Sequence, residues 1–532
     1  MGTDRCFWGW GFEGAGLDAT EQRALAQRVQ PFIPIESDPI IPPTPDEIHL
    51  RSPRIRPPDS IASWCRVDAA SRAGHTYGKS FADVVRALER RWERPPDVVA
   101  APPDEAGVVA VLEWASRIDA VVIPYGGGSS VVGGVEAPRG DDRPVISCDL
   151  SRLDRVLEVD TASRAALIQA GVFGPSLEAQ LRPYELTLRH YPQSFEVSSL
   201  GGWIATRSGG HYATLHTHID DFVESVKAVT PAGLWESRRL PGSGAGPSPD
   251  RLLLGSEGIL GVITCAWMRL QDRPRFRASA VARFATFEAG ARAARALAQS
   301  GLWPANCRLL DAGEALMTGA GSGEAHLLLI GFESADHAVD DAMARAAMLA
   351  RDHGGAIEIR DRSASATGPG RTDAADQWRS AFLRAPYIRD SLVCLGLISE
   401  TFETAITWDR FDVFVSEIKA SAEEALRGAG AWPAIVTCRL THVYPDGAAP
   451  YFTILAPGRG SSRVAQWRDV KAAVMTAIND GGGTVTHHHS VGRDHRAGYD
   501  LERPALFAAQ LRAAKKVVDP GAMLNPGVLI DP

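Results

Sequence analysis

Three consecutive histidines, His487, His488 and His489, stand in a glycine-rich setting between Gly481 and Gly492. Imidazole titrates near neutral pH, so such a cluster can move protons, bind phosphate or ligate a metal. If the run is a strand, alternate side chains share a face, and His487 and His489 point together with His488 turned away. No carboxylate stands nearby in sequence at ligand spacing. The seven cysteines (Cys6, Cys65, Cys148, Cys265, Cys307, Cys394 and Cys438) are scattered without a C-x-x-C pair. No metal is therefore expected. On these residues alone, reactive and purely structural histidines are equally open. Arg389 in Tyr387-Ile388-Arg389-Asp390 and Arg439 in Thr437-Cys438-Arg439 could each clamp a carboxylate or phosphate bidentately, and Tyr451 adds a phenol. Most arginines in an Arg-rich chain are simply solvated, so none of these speaks alone.

A second kind of chemistry is written in glycine. The β-branched run Val121-Val122-Ile123 leads into Pro124-Tyr125-Gly126-Gly127-Gly128-Ser129-Ser130. A strand that breaks into three glycines lets a ligand approach the main chain, and converging N–H groups and hydroxyls hold an anion such as a pyrophosphate. Downstream lies a segment with Gln193, Ser194, Ser198, Ser199, Gly201-Gly202, Thr206, Arg207, Ser208 and Gly209. A third segment is Leu254-Gly255-Ser256-Glu257-Gly258-Ile259-Leu260-Gly261-Val262-Ile263. One glycine run is weak evidence. The ordered set of three resembles a known type of FAD-binding domain, and that resemblance implies bound FAD.

The elements that must position these groups alternate. Residues 80–92 read as helix, 95–100 as strand, and Asp104 as the N-cap of a helix running to about Arg117. Strands follow at 144–147, 156–159 and 165–170, then a helix near 174–183 and a strand at 223–229. From Arg277 the order is strand (278–284), helix (287–300), strand (326–331) and helix (335–352), then a helix at 411–428 and two strands within 433–456. Residues 7–14 alternate aromatic and glycine and read as an arm packing its rings on a domain surface. Residues 31–58 are Pro-rich and read as an extended wrap, residues 241–250 as a flexible loop, and residues 361–372 as a mobile loop or lid. The expected fold class is α+β. The expected divisions are 1–90 (arm and helical segment), 91–272 (FAD-binding domain), 273–472 (cap, or substrate, domain) and 473–532 (a return to the FAD domain).

The chain has 532 residues with 45% hydrophobic content, enough for more than one core. A formal net charge of −8 argues against generic nucleic-acid binding. No apolar run approaches the roughly 20 residues that span a bilayer. The first residues lack an apolar signal core, and the last four are not a Ser-Lys-Leu address. A cytoplasmic protein is the expectation, and the Arg/Ala/Gly-rich composition points to a bacterial source.

The three glycine segments together resemble the vanillyl-alcohol-oxidase, or PCMH, type of FAD domain. The Trp-Gly-Trp-Gly-Phe arm, Tyr387-Ile388-Arg389-Asp390, the block Glu400-Thr401-Phe402-Glu403-Thr404, Thr437-Cys438-Arg439, Tyr451-Phe452 and His487-His488-His489-Ser490-Val491-Gly492 narrow the likeness. Taken together the chain resembles the alkyldihydroxyacetonephosphate (alkylglycerone-phosphate) synthase family. The resemblance implies noncovalent FAD and a reaction of acyl-dihydroxyacetone phosphate with a long-chain alcohol. That reaction forms an ether bond, with covalent participation of the flavin and no net redox. It places Arg389, Arg439, Tyr451 and the three histidines at active-site positions. Tyr451 and the histidines would serve phosphate binding and proton transfer, and Arg389 the leaving carboxylate. A homodimer and peripheral membrane contact are further expectations, although no strong basic amphipathic helix is legible.

The chain departs from the family pattern at Gln193, where Asp is usual, at Ser199 in place of Thr, and after Phe452. It also has a short Gly-rich segment between Leu316 and His326. Arg207-Ser208-Gly209-Gly210-His211 looks like a covalent flavin-attachment string, but the first phosphate loop here is 124–134, so His211 is not expected to carry FAD. Two alternatives stand beside this expectation. One is an FAD oxidase or dehydrogenase of a hydroxy acid on the same fold. The other is a flavin-free protein or metal hydrolase built on the histidines.

Overall fold

Val121–Tyr125 lies parallel to Val145–Asp149, which lies parallel to Val98–Ala100, and Cys65–Arg66 closes the far edge antiparallel. The computed structural model describes residues 5–35, 38–212, 214–359 and 374–531, the side chains of 374–381 excepted. The mobile loop expected at 361–372 lies outside the described residues. The parallel strands are short apolar runs because both faces are covered: Val98, Val121, Val122 and Ile146 are wholly buried. Parallel neighbours need a crossover, and the helix Glu105–Arg117 supplies it. The Asp104 carboxylate caps that helix, accepting from the Gly107 amide at 2.8 Å, where the sequence places it.

A second, five-stranded antiparallel sheet runs Val156–Asp160, Ala165–Gln169, Val262–Arg269, Val223–Thr230, Gly233–Glu236. It carries the third glycine segment at the start of Val262–Arg269. The C-terminal chain returns to the first sheet. The Val122 amide donates to the Met523 carbonyl at 2.8 Å, and the Asn525 amide to the Val122 carbonyl at 2.9 Å.

The largest sheet is antiparallel. It is ordered Ala356–Ile359, Phe276–Phe284, His326–Ser334, Asn306–Leu310, Ile435–Val443, Gly447–Pro457, Leu397–Glu403, with Ile406–Thr407 also paired to Gly447–Pro457. The helices Phe287–Ala298, Asp340–Asp352, Phe411–Gly428 and Arg463–Asp480 share its apolar core. Strand alternation then does the positioning. Cys438, Leu440, Phe452 and Ile454 belong to that core, while Arg439, Thr441, Tyr451 and Thr453 line a cavity on the opposite face. Register brings Arg439 opposite Tyr451, Leu310 opposite Arg439, and Glu403 opposite Tyr451.

Two expectations need correction. The helix expected from 335 begins at Asp340, because the Ser334 hydroxyl accepts from the Asp336 and His337 amides and ends the strand in a turn. The aromatic–glycine arm does more than decorate a surface. Trp10 is buried on the cavity wall, and its amide donates to Asp390 at 2.6 Å. A Cβ on Gly11 would stand 2.3 Å from the Tyr387 hydroxyl, so the glycine is what lets the arm lie against the helix Ala374–Cys394. All seven cysteines are free thiols. Among the described residues no helix is long and apolar enough to cross a membrane.

Candidate active site

One cavity of about 430 Å³ runs between the two smaller sheets and the inner face of the large one. Its floor is the glycine loop. A Cβ on Gly127 would stand 1.7 Å from the Val197 carbonyl oxygen, and Gly128 has φ +71° with the Tyr125 hydroxyl 2.0 Å from where its Cβ would be. No other residue fits either position, so the loop presses its backbone against the second segment. Pro124 through Ser130, Gln193, Ser194, Ser198, Ser199, Thr206, Ser208, Gly209, Glu257, Gly258, Gly261 and Ile263 all line the cavity. Two residues expected with them do not. The Arg207 guanidinium turns outward to Asp220, with Nε 2.8 Å from the carboxylate, because Arg207 ends the helix Leu200–Thr206 in a left-handed conformation. Val262 is wholly buried in the core beneath the first sheet. Gln193 lines the cavity but spends its amide on the Phe382 carbonyl, at 2.8 Å.

The cavity wall also carries polar atoms that no group among the described residues satisfies. Arg308 Nε and Nη1, His442 Nδ1 and Asn525 Oδ1 are buried without a hydrogen-bond partner among those residues. Orphaned donors and acceptors beside a hydroxyl-lined glycine loop are what a polar ligand would complete. The donor set fits a dinucleotide: main-chain approach at Gly126–Gly128 and hydroxyls from Ser129, Ser130, Ser194, Ser198, Ser199 and Thr206 for its phosphates.

The triple histidine is not a strand. It is a turn wrapped around a buried carboxylate that stands 86 residues from His489. Glu403, with no exposed side-chain surface, accepts from the Thr486 hydroxyl at 2.6 Å and from the amides of His487, His488 and His489 at 2.6, 3.0 and 2.8 Å. Burial alone would raise its pKa. The adjacent imidazoles and these donors outweigh burial and hold it well below the usual carboxylate range. The expected pairing of His487 with His489 is therefore replaced by another. His488 and His489 both pack on Tyr451, with ring centroids 6.0 and 5.6 Å away, and line the cavity. His487 turns behind them to Tyr444 and His442. Burial pushes His489 down to about 3 and puts His487 and His442 well below the ordinary imidazole value. Neutral imidazoles accept protons; they are poor anion clamps. The ring nitrogens of His442, His487 and His488 lie within 4.8 Å of one another. His442 Nε2 is engaged with the Gly210 carbonyl at 3.0 Å.

The expected arginines reach the cavity already neutralised. Arg389 donates Nε to Asp390 at 2.8 Å and Nη1 to the Lys79 carbonyl at 2.6 Å. Arg439 pairs with Glu314 and stacks its guanidinium 3.7 Å from the Tyr451 ring centre. Arg308, which is buried on the cavity wall, has no carboxylate partner among the described residues, and the sequence reading did not pick it out. The signal for it was a lone charge in the apolar strand Asn306-Cys307-Arg308-Leu309-Leu310. Glu403 was also missed as a site residue, although it sits in the Glu-Thr-Phe-Glu-Thr block.

The glycine cradle beside an antiparallel cap defines a flavoprotein of the FAD-linked oxidase type. Residues 96–237 match the family model of an FAD binding domain, and residues 273–529 that of the FAD linked oxidases, C-terminal domain. The cofactor of the cradle is FAD. An alkyldihydroxyacetonephosphate synthase of Dictyostelium discoideum is 30% identical over 492 residues, covering 87% of this chain and 78% of the relative. One from Trypanosoma brucei brucei is 28% identical with the same coverage, 87% and 78%. A solved structure of an alkyldihydroxyacetonephosphate synthase superposes with TM-score 0.80 at 25% identity, covering 98% of both chains. The chain belongs to the alkyldihydroxyacetonephosphate synthase family.

The string containing His211 reads differently in three dimensions. Its ring packs tilted against Phe382, centroids 5.2 Å apart, with Nε2 3.4 Å from the Asn306 amide nitrogen, and it does not line the cavity. Acid precipitation of the yellow protein is therefore expected to leave the colour in the supernatant. A yellow pellet would return His211 as an attachment point.

Proposed function

We propose that this protein is an FAD-dependent alkylglycerone-phosphate synthase-like enzyme. It exchanges the acyl group of acyl-dihydroxyacetone phosphate for a long-chain alcohol, forming an ether bond without net redox. The observation that carries this reading is convergence on one cavity. The flavin cradle, the imidazoles on Tyr451, a buried guanidinium with no carboxylate partner among the described residues and an apolar extension past Met317, Ala385, Pro386, Ile388 and Leu392 share a single space.

Each part has a task in that reading. When bound, FAD supplies a ring system that can take up an electron pair at the substrate carbon and return it. Tyr451, His488 and His489 sit where a proton beside a ketone can be removed and held. Arg308 offers the net positive charge that a phosphate end requires, and Arg389, held by Asp390, stands ready for the departing carboxylate. Arg439 keeps Tyr451 oriented through the stacked guanidinium. The apolar extension takes the acyl or alkyl chain and keeps water from the reacting carbon. The reading extends to a cytoplasmic homodimer in peripheral contact with membrane. Exposed Leu501, Leu506 and Val517 near the C-terminus supply apolar surface for such contacts.

The test is anaerobic. Holoenzyme mixed with acyl-dihydroxyacetone phosphate and a fatty alcohol should yield ether and free fatty acid one for one, with the flavin oxidised at the end. Flavin that stays bleached until oxygen or another acceptor is added would instead make the protein a hydroxy-acid oxidoreductase of the same fold.

A further inference from the structure

Resting on that reading, the exchange has a proton balance. An ester and an alcohol become an ether and a carboxylate, so one proton must leave the buried cavity in each turnover. No electron is lost or gained by the chain's own groups.

A continuous line of titratable side chains leaves the cavity behind His488. His488 Nδ1 lies 3.0 Å from His487 Nδ1, and His487 Nε2 lies 2.5 Å from the Tyr444 hydroxyl. That hydroxyl lies 3.3 Å from His218 Nε2, and His218 Nδ1 lies 2.9 Å from the Arg207 carbonyl oxygen. Three separate segments supply these groups: the histidine turn, the hairpin corner after Ile435–Val443, and the loop after the helix Leu200–Thr206. His218 is the outermost and half-buried, and its ring is packed 4.8 Å from His487.

The last contact fixes the direction of all the others. A carbonyl only accepts, so a neutral His218 carries its proton on Nδ1 and its Nε2 is an acceptor. Burial favours that neutral form of His218. The Tyr444 hydroxyl therefore donates to His218, and its oxygen accepts from His487 Nε2–H. His487 Nδ1 is then an acceptor, so the proton between the two rings belongs to His488 Nδ1. Glu403, 3.2 Å from that nitrogen, favours the same tautomer. His488 is left with Nε2 as its basic atom.

We propose that His488, His487, Tyr444 and His218 form a relay that carries the released proton from the cavity to the surface. A proton taken up at His488 Nε2 is matched by loss of its Nδ1–H to His487 Nδ1. His487 passes its Nε2–H to the Tyr444 oxygen as the phenolic proton moves to His218 Nε2. His218 then gives up its Nδ1–H to water. Each N–H or O–H bond broken is replaced by one formed, and rotation of the groups resets the line.

The test uses Tyr444→Phe, which keeps the ring and removes the link, and His218→Asn, which keeps a donor for the Arg207 carbonyl. Both holoenzymes should keep the FAD content, flavin spectrum and KM of the wild type. Their kcat should fall at least about 10-fold, with recovery as imidazole buffer is added. Imidazole-nitrogen NMR on histidine-labelled, substrate-free protein should show the single His487 tautomer of the wild type become a mixture in Tyr444→Phe. Wild-type kcat in either variant overturns the relay, and so does a loss that buffer cannot relieve. A stoichiometric divalent cation held by His442, His487 and His488 would do the same by breaking the line in its middle. A wild type that forms no ether at all would sink the exchange reading instead, while the tautomer measurement would still report on the line itself.

Discussion

Glu403→Gln is expected to retain FAD and lose turnover by about 10²-fold or more, the scale of loss that follows when reacting groups are displaced by about 1 Å. The substitution keeps the shape of the side chain and removes its chemistry. The carboxylate accepts from one hydroxyl and three successive amides, at 2.6 to 3.0 Å. Glutamine offers one acceptor oxygen and turns an NH₂ toward donors. At least one buried amide is left unpaired, at a cost of about 1–3 kcal/mol, and the turn must open to find water. His488 and His489 then leave the Tyr451 ring. The glycine cradle makes none of these bonds, so the flavin spectrum serves as the internal control. Glu403→Gln with kcat within a few-fold of the wild type would remove the carboxylate from any role in holding the site.

The same substitution carries a pH signature whose sign is fixed. The folded-state pKa of Glu403 is depressed, chiefly by His488 and His489 acting against its burial. A depressed carboxyl contributes stability that is fully present above its unfolded value, about 4.3, and lost as pH falls through the folded one. The Tm deficit of Glu403→Gln should therefore be flat from about pH 5 to pH 8 and shrink only in stronger acid. A deficit that changes across neutral pH would point to the neighbouring imidazoles rather than to the carboxylate.

What the sequence makes legible follows from how local each feature is. The glycine loop, the Asp104 cap and the helix Phe411–Gly428 are specified within a few residues, and the structure has them where the chain implies. The cavity-facing positions of Ile435–Val443 and Gly447–Pro457 follow from alternation once the strands are recognised. The histidine turn fails as a strand because its shape is set by Glu403, far away in sequence and brought opposite Tyr451 by sheet register. Arg207 misleads for a related reason. Its neighbours in the string line the cavity, but a left-handed residue at the helix end reverses the side chain toward Asp220. Arg389 and Arg439 are found by motif, yet their neutralising partners, an adjacent aspartate and Glu314 on another element, decide how much charge each can offer.

Replacing Arg308 by methionine is expected to cost about 10²-fold or more in kcat/KM for a phosphorylated substrate while leaving the folded protein at least as stable. Charge-assisted hydrogen bonds are worth about 1.5–3 kcal/mol each, and a guanidinium can make two in parallel to a phosphate. Arg308 is 1% exposed, and one of its nitrogens reaches the His211 carbonyl, at 3.2 Å, while Nε and Nη1 find no partner among the described residues. Burial, joined by repulsion from Arg439, pushes the guanidinium down to about 9. An unsatisfied buried cation is a standing cost to the fold, so its retention is best explained by a ligand that relieves it. Methionine fills similar volume without the charge, and the Tm of substrate-free Arg308→Met should stay level or rise. Inorganic phosphate should raise the Tm of the wild type by mass action and leave that of the variant unmoved. Wild-type kcat/KM in Arg308→Met, or undiminished stabilisation of the variant by phosphate, would transfer anion recognition to another group on the wall.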